Sequence, residues 1–251
     1  MFRSTLGSVA TVGVGALAAL VLGGPQASAG PVTSSCGAAS CVMADLADPG
    51  GYIAVNGLQF TNFVGTNSAS ILVTGFDETL YPRYNGGGVR FTAPDTILWT
   101  LINSGQEVFF NDLFSFSVED TTVNRNINEL LMVINYNING NALFFYAANL
   151  ASELGILIEI TQALPPSCPE CVSPDAAFKT IFPPQNALNL QVELTGFGDD
   201  FPGSVGVFEI TSVDVAFRVP EPSTIALFGV ALTGLAAFRR WGPIVQGSRT
   251  P

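Results

Sequence analysis

Apolar and polar side chains alternate strictly in Phe114-Ser115-Phe116-Ser117-Val118. Successive residues of a β-strand point to opposite faces, so this stretch predicts a strand with one buried face and one solvated face. The same alternation recurs in Leu190-Gln191-Val192-Glu193-Leu194-Thr195. Both stretches therefore predict β-strands that pack one side against a core and expose the other side to water.

Short apolar segments separated by turn residues fill the rest of the interior, and the sequence has 19 phenylalanines but no long amphipathic helix. This pattern predicts an all-β fold, an antiparallel β-sandwich of jelly-roll type. Only Leu150 to Leu154 could take a helical turn. The predicted strands are Tyr52–Val55, Leu58–Val64, Ser70–Thr74, Gly88–Thr92, Thr96–Ile102, Glu107–Phe110, Leu113–Val118, Glu129–Ile138, Ala142–Ala147, Gly155–Thr161, Ala177–Phe182, Leu188–Thr195 and Val205–Phe217.

The sharpest turn signal is Asn139-Gly140, between Ile138 and Asn141. Asn-Gly is the preferred pair for a two-residue type I′ turn, because both positions need positive φ. The sequence therefore predicts a hairpin that pairs the strand ending at Ile138 with Leu143-Phe144-Phe145-Tyr146.

The N-terminus has the three parts of a secretory signal peptide. Arg3 supplies a positive charge, Val9 to Leu22 is apolar, and Ala27-Ser28-Ala29 is a small-residue cleavage site. Cleavage after Ala29 would remove residues 1–29 and leave Gly30 first. An uncleaved anchor is the alternative, but the cleavage pattern and the helix-breaking Pro25 favour removal.

The C-terminus has a second targeting pattern. Pro220-Glu221-Pro222-Ser223 precedes an apolar stretch, Ile225 to Phe238, which Arg239-Arg240-Trp241 closes. Fourteen apolar residues are short for a membrane span and would also suit a core helix. The two prolines, the small residues within the stretch and the cationic, aromatic end favour a membrane helix with its arginines at the interface.

This tripartite tail, residues 220–251, resembles the PEP-CTERM sorting signal of bacterial surface proteins. The resemblance implies a partner, the membrane-embedded protease exosortase, which cleaves near the Pro-Glu-Pro. It also implies a transient stay in the inner membrane through the C-terminal helix. Transfer to the envelope, the outer surface or an extracellular exopolysaccharide matrix would follow.

The interior, residues 30–219, also looks like the β-rich domain of many secreted PEP-CTERM proteins. Met43-Ala44-Asp45-Leu46, followed by Gly50 to Phe63, is similar to their opening glycine-turn hairpin, and Val205 to Phe217 is similar to their last strand. This second resemblance implies a fold and a location but no catalytic residues.

Charge excludes one class of partner. Between Gly30 and Val219 the sequence contains 19 acidic and 5 basic residues, a net charge of −14. Such a domain repels phosphate backbones, so no nucleic acid is expected to bind. The acidic surface suits a solvated protein and is also compatible with divalent cations.

Four cysteines, Cys36, Cys41, Cys168 and Cys171, lie in a chain predicted to be exported. Disulfides are the expected state outside the cytoplasm, and three pairings are possible. The Cys168-Pro169-Glu170-Cys171 spacing also fits a redox dithiol or, together with the other pair, a four-thiolate zinc site.

The sequence contains no histidine, which removes Ser-His-Asp and Cys-His catalysis. Carboxylates remain, as the pairs Asp77-Glu78, Glu119-Asp120 and Asp199-Asp200. Two acids could flank a glycosidic bond, but acids at strand ends are more often solvated turn residues. No catalytic residue is therefore predicted.

Binding sites are predicted at two places. Asp199 and Asp200, in the Gly196 to Gly203 loop, are hard oxygen ligands suited to calcium, which is therefore a candidate cofactor. Tyr81 and Tyr84 lie in a polar loop and are predicted to contact a ligand at the surface. Trp99 is also a candidate platform but is predicted to lie in the core.

Two functions follow from the sequence. The first is an exported envelope or matrix protein, not an enzyme, that associates with exopolysaccharide. The second is a glycoside hydrolase or lyase on a β-sandwich scaffold, which would need a deep acidic cleft. The missing histidine and the scattered acids favour the first.

Mass spectrometry of the protein from the outer fraction of its native cell tests both targeting segments. We expect Gly30 at the N-terminus and a C-terminus near the Pro-Glu-Pro, because both apolar ends are predicted to be removed. Full-length protein retained in the inner membrane would make the tail an anchor only.

Overall fold

The computed structural model describes residues 31–66, 70–94, 98–122, 125–165, 173–199 and 201–220. The predicted signal peptide and all of the tail after Pro220 lie outside these residues. Within them the chain forms 14 strands and one short helix. None of the described helices is long and apolar enough to span a membrane.

The strands form two antiparallel sheets that face each other across the core. The front sheet has the order β1 (Thr33–Ser34), β3 (Ile53–Val55), β4 (Leu58–Gly65), β8 (Val108–Asp120), β13 (Ala187–Gly198), β10 (Phe144–Ser152) and β11 (Leu157–Leu164). The back sheet has the order β12 (Asp175–Gln185), β9 (Ile127–Gly140), β14 (Gly206–Arg218), β6 (Gly87–Thr92), β5 (Leu72–Phe76) and β2 (Ser40–Val42), and β7 (Thr100–Asn103) pairs with β14.

The predicted all-β antiparallel sandwich is confirmed. From β8 to β14 the chain crosses between the sheets five times, which is the crossing pattern of a jelly roll. The two stretches with strict alternation, Phe114 to Val118 and Leu190 to Thr195, lie on neighbouring strands of the front sheet. Phe114 lies opposite Val192 and Phe116 opposite Leu190, and all four side chains are buried.

The predicted Asn139-Gly140 hairpin is wrong. The strand before it, β9, lies in the back sheet, whereas β10 lies in the front sheet. Asn139 and Gly140 still pair with Val207 and Gly206 of β14, and the chain crosses the core only after them. Positive φ at Gly140 is confirmed, at 107°, and a Cβ there would lie 2.3 Å from the Val205 carbonyl oxygen. The glycine therefore serves a close backbone approach and not a two-residue turn.

The helical segments also differ from those expected from the sequence. Leu150 to Ser152 continue β10 and do not form a helical turn. The one described helix, α1, is Met43–Leu46, which buries Met43 and Leu46 against the core. Four residues are too few for helical periodicity to show in the sequence.

Aromatic side chains fill the core. Phe91 contacts Phe63, Phe114 and Phe116, with ring centroids 4.6–6.4 Å apart. The predicted core position of Trp99 is confirmed, at 1% exposure. Its indole Nε1 donates to Asp112 Oδ2 at 2.9 Å, so the buried donor and the buried carboxylate satisfy each other.

Cys36 and Cys41 form a disulfide that closes a local loop. A four-thiolate zinc site would need both of these thiols and is incompatible with the bond. Cys168 and Cys171 lie outside the described residues, so their pairing stays a prediction.

Two phenylalanines of β8 provide a matched test of the inner and outer faces. We expect Phe116→Ala to lower the free energy of unfolding by about 3–5 kcal/mol, because it empties a buried aromatic site. Phe109→Ala, at a side chain that is 77% exposed, should change it by less than about 0.5 kcal/mol. Urea denaturation measures both, and equal losses would contradict the assignment of the two faces.

Candidate functional site

The outer face of the front sheet is the side of β4, β8, β13, β10 and β11 that points away from the core. Alternation along each strand assigns its members, and the register places them in rows across the sheet. From one end to the other, the rows are Phe109, Phe197, Phe145 and Ala163; Asn111, Thr195, Ala147 and Thr161; Leu113, Glu193, Asn149 and Glu159; Ser115, Gln191, Ala151 and Leu157; and Ser117 with Asn189.

One end of this face has an aromatic row, Phe109, Phe197 and Phe145, on three adjacent strands. The three side chains are 77%, 38% and 39% exposed. The rings of Phe145 and Phe197 lie 6.3 Å apart between centroids. Together with Thr161 and Thr195, these two residues line a shallow depression of about 190 Å³. The row therefore presents apolar ring surface to solvent.

The other end has a polar cleft of about 510 Å³. Asn62, Ser117, Asn189 and Glu153 form a chain of hydrogen bonds along it. Asn62 Nδ2 donates to Ser117 Oγ at 3.1 Å, and Ser117 Oγ donates to Asn189 Oδ1 at 2.7 Å. Asn189 Nδ2 then donates to Glu153 Oε1 at 2.8 Å. These contacts fix the orientation of both amides before any ligand arrives.

A β-bulge places Asn62 in this chain. The register between β4 and β8 shifts between Thr61 and Val64, and Asn62 has φ of 55°. An extra residue in one strand re-aims the side chains around it. Here Phe63 is buried, whereas Asn62 and Val64 line the cleft.

Two further polar side chains lie beside this series of hydrogen bonds. Among the described residues, the Ser115 hydroxyl and the Gln191 amide line the cleft without a hydrogen-bond partner of their own. Neutral donors and acceptors of this kind suit a ligand with many hydroxyl groups.

The charged side chains on the outer face of the front sheet all have the same sign. None of β4, β8, β13, β10 and β11 contains a lysine or an arginine. Its charged members, Glu119, Glu159 and Glu193, and Glu153 at the cleft are all acidic. The face therefore repels anionic partners.

The loop that contains Tyr81 and Tyr84 packs onto the outer face of the back sheet. Asp214 is fully buried there and accepts from Arg90 Nε and Nη2, each at 2.7 Å, and from Tyr81 OH at 2.6 Å. The hydrogen bond to Asp214 raises the pKa of Arg90. Burial, followed by the same carboxylate, raises the pKa of Tyr81.

The expectation that Tyr84 lies at the surface is wrong, because its side chain is only 5% exposed and packs with Leu131, Val133 and Ala216. Tyr81 is half-buried against Phe76. The polar sequence of this loop does not indicate that both rings fold back onto the sheet. A ligand-binding role for the two tyrosines stays a prediction, and no exposed ring face supports it.

Asp199 is buried where three loops meet. Its Oδ1 accepts from Asn103 Nδ2 at 2.8 Å, and its Oδ2 accepts from the Leu143 amide and from Ser204 Oγ, each at 3.2 Å. The side chain therefore holds loops together and does not face solvent. Asp200 lies outside the described residues, and no three potential metal ligands come together within the described part of the chain. Calcium binding stays a prediction.

Sequence reasoning missed both the aromatic row and the polar cleft. A usable signal existed for two of the three rings, because Phe109-Phe110 and Phe144-Phe145 are doublets within predicted strands. Adjacent strand residues point to opposite faces, so each doublet must expose one ring. Nothing local indicates that Asn62, Ser117 and Asn189 come together, since they lie on three strands.

The end of the sandwich leads directly into the targeting tail. Val219 is 1% exposed, and its amide donates to Asn85 Oδ1 at 3.1 Å. Pro220 follows at once. Residues 218–240 match the model of the PEP-CTERM protein-sorting motif. The motif implies export, sorting to the cell surface and processing by an exosortase. Of the predicted motif residues, Glu221, Pro222, Ser223, Arg239 and Arg240 lie outside the described part of the chain.

No curated protein matches the chain in sequence. Among solved structures, the carbohydrate-binding module TmCBM61 in complex with β-1,4-galactotriose is 10% identical, with a TM-score of 0.28 over 64% of this chain and 88% of that one. A point mutant of CBM29-2, a family 29 carbohydrate-binding module, is 11% identical, with a TM-score of 0.19 over 65% and 82%. Xylanase 10B of Clostridium thermocellum is 12% identical, with a TM-score of 0.21 over 65% and only 26%. Likenesses this weak carry no functional argument.

The buried tyrosines predict alkaline instability. Burial first, and then Glu129, raises the pKa of Tyr84 to about 12, above the value near 10 of an unfolded chain. The stabilisation is complete below pH ~10 and is lost as the pH rises through ~12, because only the unfolded chain then releases the proton readily. We expect the free energy of unfolding to fall over this window, and to fall less steeply in Tyr84→Phe. Equal slopes in the two proteins would contradict the assignment.

Proposed function

We propose that this protein is an exported, non-enzymatic component of the cell envelope or extracellular matrix, which associates with exopolysaccharide after exosortase processing. The observation that carries the proposal is the sorting motif, which begins at the residue where the last strand of the sandwich ends. The sandwich is thus the part that is delivered.

The aromatic end of the front sheet is far from the residue at which the tail begins, which supports the proposal that this end is accessible during delivery. Strand β14 runs from Gly206, which pairs with Asn103, to Arg218, next to the tail. Asn103 in turn contacts Asp199, next to the end of β13 that carries the aromatic row. Twelve residues of strand separate the two ends of β14, a distance of about 40 Å. The aromatic row therefore lies at the end of the sandwich far from Pro220, where the tail begins.

The acidic residues support a role without catalysis. Asp120 pairs with Arg125 at 3.6 Å, Asp77 Oδ1 accepts from the Thr79 amide at 3.0 Å, and Asp199 holds three loops. These contacts are those of structural turn residues. Hydrolysis of a glycosidic bond needs two carboxylates flanking it, and Glu153 is the one carboxylate among the residues lining the polar cleft. Among the contacts of the described residues, none favours the alternative of a glycoside hydrolase or lyase.

Fractionation of the native cell tests delivery. We expect the wild-type protein in the matrix and outer fractions, together with exopolysaccharide. Replacing Pro220-Glu221-Pro222 by three alanines should retain the protein in the inner membrane, because exosortase would lose its recognition sequence. Pro202→Ala, in an exposed turn away from the tail, is the control and should be delivered as wild type.

A reducing-sugar assay on the isolated exopolysaccharide tests the second half of the proposal. We expect the wild-type protein to release no more reducing sugar than the Glu153→Gln variant. Sugar release that this substitution abolishes would favour the enzyme.

In the fractionation experiment, delivery of the triple-alanine protein to the matrix would contradict the proposed role of the sorting motif.

A further inference from the structure

We infer that the outer face of the front sheet binds one uncharged polysaccharide chain, which lies along β8 and β13 from the aromatic row to the polar cleft. The inference rests on the proposed association with exopolysaccharide and deepens it, since it specifies the surface, the direction of the ligand and its charge.

The aromatic row supplies contacts for the apolar faces of sugar rings. Phe109, Phe197 and Phe145 occupy adjacent strands, so the row spans about 10 Å across the sheet. Aromatic faces carry negative charge density and attract the C–H groups of a pyranose, and close contact adds dispersion energy. Folding does not require these exposed rings, because the core is complete without them. A cluster of exposed rings of this kind marks a binding surface.

The polar cleft supplies contacts for hydroxyl groups. The hydrogen-bond chain from Asn62 to Glu153 fixes the two amides, so their remaining groups are presented in set directions. Gln191 and Ser115 add a further amide and a hydroxyl. Preorganised donors and acceptors lose little entropy on binding, which favours a hydroxyl-rich ligand.

The two ends are joined by a surface of mostly polar side chains. Six residues of β8 separate Phe109 from Ser115, a distance of about 20 Å. The intervening outward side chains of β8 and β13 are Asn111, Leu113, Thr195 and Glu193, and none of them is aromatic. A linear polymer can therefore contact both ends at once, whereas a single sugar cannot.

Charge decides among the possible occupants. The outer face has glutamates and no basic residue on its five main strands. Polyanionic glycans, nucleic acids and anionic lipid are therefore repelled. A second copy would bring the same acidic face or another part of a domain with a net charge of −14. An uncharged polymer meets none of this repulsion.

Affinity electrophoresis of the full chain in a non-ionic detergent tests the inference. The gels contain hydroxyethylcellulose, galactan or dextran as uncharged probes, and alginate as the anionic probe. We expect retardation in at least one uncharged gel and none in alginate. Retardation in alginate alone, or in no uncharged gel, would overturn the inference.

Substitutions locate the surface. Phe197→Ala and Asn189→Ala should each weaken retardation by about tenfold, because they remove one contact from each end of the face. Phe178→Ala is the matched control, since this ring is 58% exposed on the other sheet, and should bind as wild type. All three positions are at the surface, and unchanged thermal unfolding confirms that each variant is folded.

The outcomes separate the two proposals. If uncharged glycan binds equally well to all variants, this face is not the site, whereas association with exopolysaccharide stands. If Phe197→Ala and Asn189→Ala fail to bind purified glycan but the proteins still collect in the matrix fraction, the site is confirmed and delivery does not depend on it. If wild type binds no glycan and is absent from the matrix fraction, both proposals fall.

Discussion

The pairing of β8 with β13 is the constraint on which the rest of the structure depends. Each strand has apolar residues at every second position, and the register sets Phe114 and Phe116 opposite Val192 and Leu190 on the inner face. A slip by one residue would turn these side chains to solvent. The same register decides the outer face, because the residues between them must then point outward together. The aromatic row and the polar cleft are therefore consequences of core packing.

The two outer faces of the sandwich differ because the basic residues are distributed unevenly. Arg83, Arg90, Arg125, Lys179 and Arg218 all belong to the back sheet or to loops. Two buried carboxylates attach the loop containing Tyr81 and Tyr84 to the back sheet: Glu129 pairs with Arg83, and Asp214 accepts from Tyr81 while it pairs with Arg90. A buried carboxylate that lost its arginine would be costly, which keeps this loop closed. Among the described residues, the ion pair on a main strand of the front sheet joins the buried Asp120, at the end of β8, to Arg125, so no such pair covers the outer face.

Some features of the sequence could be interpreted only up to a point. Strands were predictable from alternation, and Gly140 from its turn chemistry, but the partner of β9 was not. The residues on either side of Asn139-Gly140 bury apolar side chains in one core, and a hairpin or a crossing between sheets satisfies that requirement equally. Tyr81 and Tyr84 illustrate a related limit. A polar loop sequence does not show that its rings fold back onto Leu131 and Val133.

The sequence by itself determined the all-β class, the membrane-targeting pattern at each end and the acidic charge, because these depend on local periodicity and composition. The tertiary structure decided which strands face each other, which carboxylates are buried, and which side chains share the outer face. Asn62, Ser117 and Asn189 are far apart in the chain, and Phe109 and Phe197 are 88 residues apart. Only the register of long-range strand pairs brings such residues together, and no local pattern encodes that register.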